Sequence, residues 1–273
     1  MRTQNLIFYY FSIFIIAFGH SALGQIPKNK MQTIIDGSHR TAKNKARNVY
    51  RHPIETLSFF GISKNSNVIE ITPGRGWYTE ILAPLLKEKG SLVTVIYDAN
   101  LTKIPYLQKL NKLYKNKLAT NKKIYGNVEI LEVAQMDPVF KTKKPVDTVL
   151  TFRNVHNWAK SGTVEKMFDS FYKSLKIGGV LGVVEHRANT GTSLDQQIKS
   201  GYMTENYVKQ IAKSAGFQFI GSSEINANPL DRKNHRNGVW TLLPNQRGLS
   251  EPEKELYRKI GESDRMTLKF MKN

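Results

Sequence analysis

The sequence predicts a single α/β domain built on a doubly wound, mostly parallel, seven-stranded sheet, with helical additions at both ends. Three observations carry that prediction. Short, nearly continuous apolar runs alternate with helices or long crossovers, the pattern of strands buried on both faces. The first run passes through a glycine loop straight into a helix, "NVIEITPGRGWYTEIL", the unit around which doubly wound sheets are organised. A length of 273 residues, 40% hydrophobic and 23% charged, suffices for one large cored domain and excludes a chain disordered throughout.

The elements follow in order. Residues 1–24 read as an export signal, with Arg2, an apolar run from Leu6 to Phe18, and small residues Ala22 and Gly24 before a cleavage point at Gln25. That run falls short of the about 20 apolar residues of a comfortable span, and an uncleaved anchor is the rival reading. No later segment is long and apolar enough to span. Residues 25–273 are therefore expected to form one domain, periplasmic or secreted, without a membrane span. Pro53 and Gly61 bracket a first helix as start and stop. Strand one is 67–71, followed by a helix closed by Gly90; strand two is 91–98, followed by a long basic helical stretch to Gly126. Strands three and four are 127–133 and 146–152, and a helix over 163–179 ends at Gly178 and Gly179. Strand five, 180–186, precedes a helix over 204–216, a sixth strand near 217–225 and a last strand in "GVWTLLP", 238–244. Ser250 and Glu253 stand at capping-box spacing, so at least one terminal helix is expected.

Composition narrows the function. A net charge of +19 favours anionic partners, yet lysine is dispersed and no nucleic-acid module is recognised, so a solvated basic surface is expected, with no specific nucleic acid. The absence of cysteine excludes disulfides, thiolate metal sites and cysteine nucleophiles. The six histidines form no HxH or HxxxH pair, and no dedicated metal site is expected.

Three ligands compete for the glycine loop. A dinucleotide fingerprint aligned on Gly74 fails at Thr72 and Trp77, and a P-loop is absent. The third pattern sets an acid near the end of strand one before G-x-G-x-G spacing: Glu70, Thr72, Gly74, Gly76. This resembles motif I of the class I S-adenosylmethionine-dependent methyltransferases, with Thr72 in place of the first glycine. The resemblance implies a Rossmann-like fold, S-adenosylmethionine as cofactor, and a loop that wraps its methionine portion. Asp98, 22 residues after Gly76, ends strand two where an acid accepts hydrogen bonds from ribose hydroxyls; a strand-end turn residue is its other reading. By the same resemblance Asp137, in "AQMDP", answers to a position that binds the adenine amino group, although Asp before Pro is also a plain turn. The phrases "RHPIETLSFFGI", "TFRNVHNW", "GYMTENYVKQIAKSAGF" and "IGESDRMTLKF" are similar to a family of predicted exported bacterial methyltransferases.

In that fold the end of strand four faces the transferable methyl group, and here it reads "TFRNVHNW". His156 has the intrinsic pKa of a general base, Asn154 suits positioning of the acceptor, and Trp158 suits a flat wall. Packing in the following helix is the alternative for His156 and Trp158. "EHR", Glu185 to Arg187, is the next candidate cluster; Arg232, His235 and Arg236 either bind an anion or form a solvated turn, and Tyr202 is either a lid or a packed residue. Two function classes stay open. One is a methyltransferase acting on a small-molecule or envelope acceptor. The other is a non-catalytic exported protein on the same fold, holding an anionic envelope component or nucleic acid.

Overall fold

The computed structural model describes residues 28–273. The expected export signal and its boundary at Gln25 lie outside them. Four short helices precede the sheet: α1 (Lys28–Ile35), α2 (Ala42–Lys45), α3 (Asn48–Arg51) and α4 (Pro53–Phe59). There follow β1 (Asn67–Ile71), α5 (Thr79–Leu86), β2 (Ser91–Tyr97), α6 (Pro105–Thr120), α7 (Lys122–Tyr125), β3 (Val128–Val133) and β4 (Val146–Phe152). The second half runs α8 (Val155–Ser161), α9 (Val164–Ser174), β5 (Leu175–His186), α10 (Leu194–Ser200), α11 (Glu205–Ser214), β6 (Phe217–Ser223), α12 (Glu251–Ile260) and β7 (Arg265–Lys272).

The seven strands form one sheet in the order β3-β2-β1-β4-β5-β7-β6, with β7 antiparallel to both its neighbours and the other pairs parallel. Strand order reverses between β1 and β4, and a ligand crevice opens at such a point, beyond the strand ends. Helices cover both faces. Ile69 and Ile71 of β1 pack with Trp158, Phe168 and Phe171 on one side, while Val68 packs with Leu57, Ile81 and Tyr114 on the other. Each such side chain contributes roughly 1.5–3 kcal/mol by burial, which is why the inner strands are apolar at successive positions. Pro53 opens α4, and Gly61, at φ +78°, lies just beyond its end, as expected. The capping box at Ser250 also holds: Glu253 accepts the Ser250 N–H at 2.7 Å.

Two expectations are corrected. The last strand is not 238–244; Gly238–Thr241 is a 3-10 turn, whose Val239 packs with Tyr202 and Ala188. Gly238 has φ +55°, and a Cβ there would stand 2.0 Å from the Ser200 carbonyl oxygen, so this backbone is wedged into a corner. The seventh strand is the tail itself, where Met266, Leu268 and Phe270 alternate with Thr267 and Lys269 and insert between β5 and β6. The second correction concerns 163–179. α9 stops at Ser174, and Leu175 already pairs with Val146, while the register shift before Val180 accommodates Gly178 at φ +74° as an irregularity in β5. No helix among the described residues is long and apolar enough to cross a membrane.

Candidate functional site at the strand switch point

Both strands flanking the reversal end in a strained turn. Thr72 directly follows β1 at φ +42°, and Arg153 directly follows β4 at φ +62°. A non-glycine residue in this left-handed region costs about 1–2 kcal/mol, and such strain gathers at functional sites. Asn154 ties the two turns together: its Nδ2 donates to the Ile71 carbonyl at 3.0 Å and to Thr151 Oγ1 at 3.2 Å.

The loop after β1 has a closed base and an open mouth. Gly76 is at φ +75°, and a Cβ there would lie 2.9 Å from the Tyr114 ring and 3.3 Å from Thr79 Oγ1. Gly74, at φ +62°, has nothing within 4 Å of an added Cβ. Between them and the strand, Thr72 Oγ1 is buried with no hydrogen-bond partner among the described residues. Glu70 is buried, and accepts a 2.6 Å hydrogen bond from Thr79 Oγ1 at the start of α5. Burial pushes its carboxyl up to about 7, against the opposing effects of Thr79 and Lys117. Glu70 thus braces the loop from below. From outside, Lys117 Nζ donates to the Arg75 carbonyl at 2.9 Å and pairs with Glu80, which also takes Arg40 Nε at 3.2 Å.

Asp98 stands just beyond β2, half-buried, its Oδ1 accepting the Asn100 N–H at 2.8 Å and its second oxygen uncommitted among the described residues. Asp137 is different: its side chain is 71% exposed and faces Lys166 of α9 at 3.5 Å.

Beyond β4 the sequence candidates separate. Trp158 is core, buried and donating to the Tyr97 hydroxyl at 2.9 Å, and is not a wall of the site. His156 is also buried, but in a polar setting. Its Nδ1 lies 3.0 Å from Glu185 Oε1, and Glu185 also accepts the His156 backbone N–H at 3.2 Å. The His186 ring centroid is 5.3 Å away, with Nδ1 against Ser263 Oγ at 2.5 Å. Burial, then coupling to the neighbouring His156 ring and the positive charge of Arg153, Arg265 and Arg51, hold the His186 imidazole well below its ordinary range. His156, Glu185 and His186 offer potential metal ligands within 4.8 Å of one another, a grouping invisible to HxH or HxxxH spacing.

Four arginines surround Glu262, and three of them, Arg153, Arg265 and Arg51, also act on His186. Arg47 directly precedes α3, Arg51 ends that helix, Arg153 directly follows β4, and Arg265 starts β7. Glu262, buried, takes Arg47 Nε at 2.5 Å, Arg51 Nε at 3.3 Å and Arg265 Nη1 at 3.2 Å. Burial alone would raise the Glu262 carboxyl; the four guanidinium groups outweigh it and hold the group well below the usual range. None of Arg47, Arg51, Glu262 and Arg265 was a sequence candidate.

The remaining candidates are structural. Tyr202 is buried on Asp231 at 2.9 Å, which His235 also meets at 2.8 Å, so neither is a lid or an anion ligand. Arg236 pairs with Glu253, and Arg187 with Asp264 and Glu224.

No family model matches the sequence, and no curated protein matches it. Solved structures share the fold. The O-methyltransferase NcsB1 from neocarzinostatin biosynthesis, in complex with S-adenosylmethionine and 2-hydroxy-5-methyl naphthoic acid, superposes with TM-score 0.52 at 12% identity over 85% of this chain and 55% of that one. The S-adenosylmethionine-dependent methyltransferase SibL, in its apo form, gives 0.52 at 9% identity over 84% of this chain and 56% of that one. An O-methyltransferase family protein from Burkholderia thailandensis gives 0.50 at 12% identity over 85% and 59%. The chain thus spans between half and two thirds of the length of these three structures. At such identities the likeness is one of architecture: this chain has the fold of the S-adenosylmethionine-dependent methyltransferases.

Proposed function

We propose that this protein binds S-adenosylmethionine at the switch point and transfers its methyl group to a small-molecule or envelope acceptor. The observation that carries the reading is the mouth of the glycine loop, where a buried Thr72 hydroxyl has no partner among the described residues, beside the open face of Gly74. A buried hydroxyl without a partner costs about 1–3 kcal/mol, and a polar ligand in the loop would satisfy it. The uncommitted oxygen of Asp98 suits a ribose diol, and the backbone at Gly74 suits close approach of the methionine portion. When bound, the cofactor supplies an electrophilic methyl group on a sulfonium.

The chain's own residues then have defined tasks. His156 is held by Glu185 through Nδ1, which leaves Nε2 to take a proton from the acceptor while the carboxylate stabilises the imidazolium formed. Asn154 has its amide N–H group engaged with the strand ends, so only its side-chain oxygen is left to orient an acceptor donor. Asp137, exposed and paired with Lys166, would have to leave that pair to meet an adenine amino group.

Titration calorimetry with S-adenosylmethionine and S-adenosylhomocysteine tests the reading. Binding of either is expected, and Asp98→Ala should weaken it at least tenfold without lowering Tm. No heat and no thermal shift at millimolar ligand would remove the proposal.

A further inference from the structure

The charge at the corner where β4 ends and β7 begins does not balance. Arg47, Arg51, Arg153 and Arg265 meet there, and the carboxylates facing them are Glu262 and Glu185. Glu262 is already engaged by Arg47, Arg51 and Arg265, and Glu185 by the His156 ring and the backbone of His186. Arg153 has no ion pair among the described residues. Burial first, and then its arginine neighbours, lower its guanidinium to about 10, despite Glu262 and Glu185. Three donors are stranded: Nη2 of Arg47, Nη2 of Arg51 and Nε of Arg265 are buried without an acceptor among the described residues. Arg51 and Arg265 are only 2% and 3% exposed, so bulk water does not relieve them.

Folding has therefore collected more cations than it neutralises and left their donors unanswered. Buried charge of this kind is costly unless paired. The same imbalance speaks against a metal at His156, Glu185 and His186, because a divalent cation would add to the excess. An oxyanion would cancel it, and guanidinium forks match the oxygens of carboxylate and phosphate. The strained turn at Arg153 is kept in place by its N–H on the Val184 carbonyl at 2.7 Å and by the Asn154 side chain donating to the Ile71 carbonyl, which fixes the Arg153 backbone next to the turn that follows β1.

We propose that the acceptor carries an oxyanion, a carboxylate or a phosphate, which seats on Arg153 and the stranded donors of Arg47, Arg51 and Arg265, next to His156. The anion site stands on the arginines alone; only its identity as the acceptor site rests on the methyltransferase reading.

The test titrates the full chain with inorganic phosphate and with benzoate by calorimetry and thermal melting, with S-adenosylhomocysteine titrated separately. At least one anion should bind saturably, with a Kd of millimolar or tighter, and the preferred one identifies the group. Arg153→Gln should weaken that binding at least tenfold and leave S-adenosylhomocysteine affinity unchanged. It should not lower the Tm of the ligand-free protein, since it relieves like-charge crowding; an arginine needed only for packing would lower it. Arg236→Gln, remote and paired with Glu253, should change nothing. Absence of saturable heat from either anion, with S-adenosylhomocysteine still binding, would overturn the inference and spare the methyltransferase reading. Anion binding that survives Arg153→Gln would overturn it equally. Anion binding lost in Arg153→Gln, in a protein that does not bind S-adenosylhomocysteine, would keep the site and sink its role in methyl transfer.

Discussion

Gly76→Ala and Gly74→Ala form a pair that separates the loop's structural base from its binding mouth. Both glycines have positive φ, +75° and +62°, so alanine pays roughly 1–2 kcal/mol of backbone strain at either. Only Gly76 adds a collision, since its Cβ would stand 2.9 Å from the ring of Tyr114, which is buried at 1% exposure and shares a 3.2 Å hydrogen bond through its hydroxyl with Thr79 Oγ1. Overpacking of that kind adds about 1–3 kcal/mol. A total of about 3 kcal/mol for Gly76→Ala corresponds to a Tm fall of about 6–12 °C in a chain of this size, against about 3–6 °C for Gly74→Ala. Binding should follow the opposite order for its cause. At Gly74 the new methyl enters open space that the cofactor is proposed to fill, so affinity should fall at least tenfold in a protein that remains well folded. Differential scanning calorimetry gives the stabilities and isothermal titration with S-adenosylhomocysteine the affinities. If Gly74→Ala binds like wild type while retaining its fold, the open mouth of the loop is not the ligand's seat and the reasoning fails.

Other expectations follow from the same geometry. The Glu70 carboxyl is raised from 4.5 to about 7 by burial, so the folded state holds the extra proton across that window; stability should fall by about 3 kcal/mol as pH climbs from 4.5 to 7. Glu70→Gln should abolish this component, and parallel wild-type and variant stability curves over that range would refute it. In methyl transfer to an acceptor found by screening, His156→Ala should slow turnover by about 10²–10⁴-fold with cofactor affinity retained. A joint loss of Tm and cofactor affinity would assign His156 a packing role instead. We also propose export of the chain, and N-terminal sequencing of envelope material should begin at Gln25; an intact Met1 on membrane-bound protein would indicate an anchor.

Sequence by itself determined what short-range physics encodes. Apolar runs marked six of the seven strands, because strands covered on both faces must be apolar at successive positions. Gly74 and Gly76 marked the loop, because its backbone needs positive φ, and Asp98 marked the end of β2. Ser250 and Glu253 marked α12, because a cap is complete within one helical turn. The seventh strand escaped notice although Met266, Leu268 and Phe270 alternate with period two; Lys269 and Lys272 masked that signal, and the apolar "GVWTLLP" drew the strand to itself. Tertiary structure alone decided the rest. Strand order β1-β4-β5-β7 brings Glu185 to His156 across 29 positions and Glu262 to Arg47 across 215. Charge pairing acts through space, over a few ångströms, and carries no period along the chain. An arginine that is solvated in one fold is stranded and waiting for an anion in another, and only the sheet's connectivity distinguishes the two.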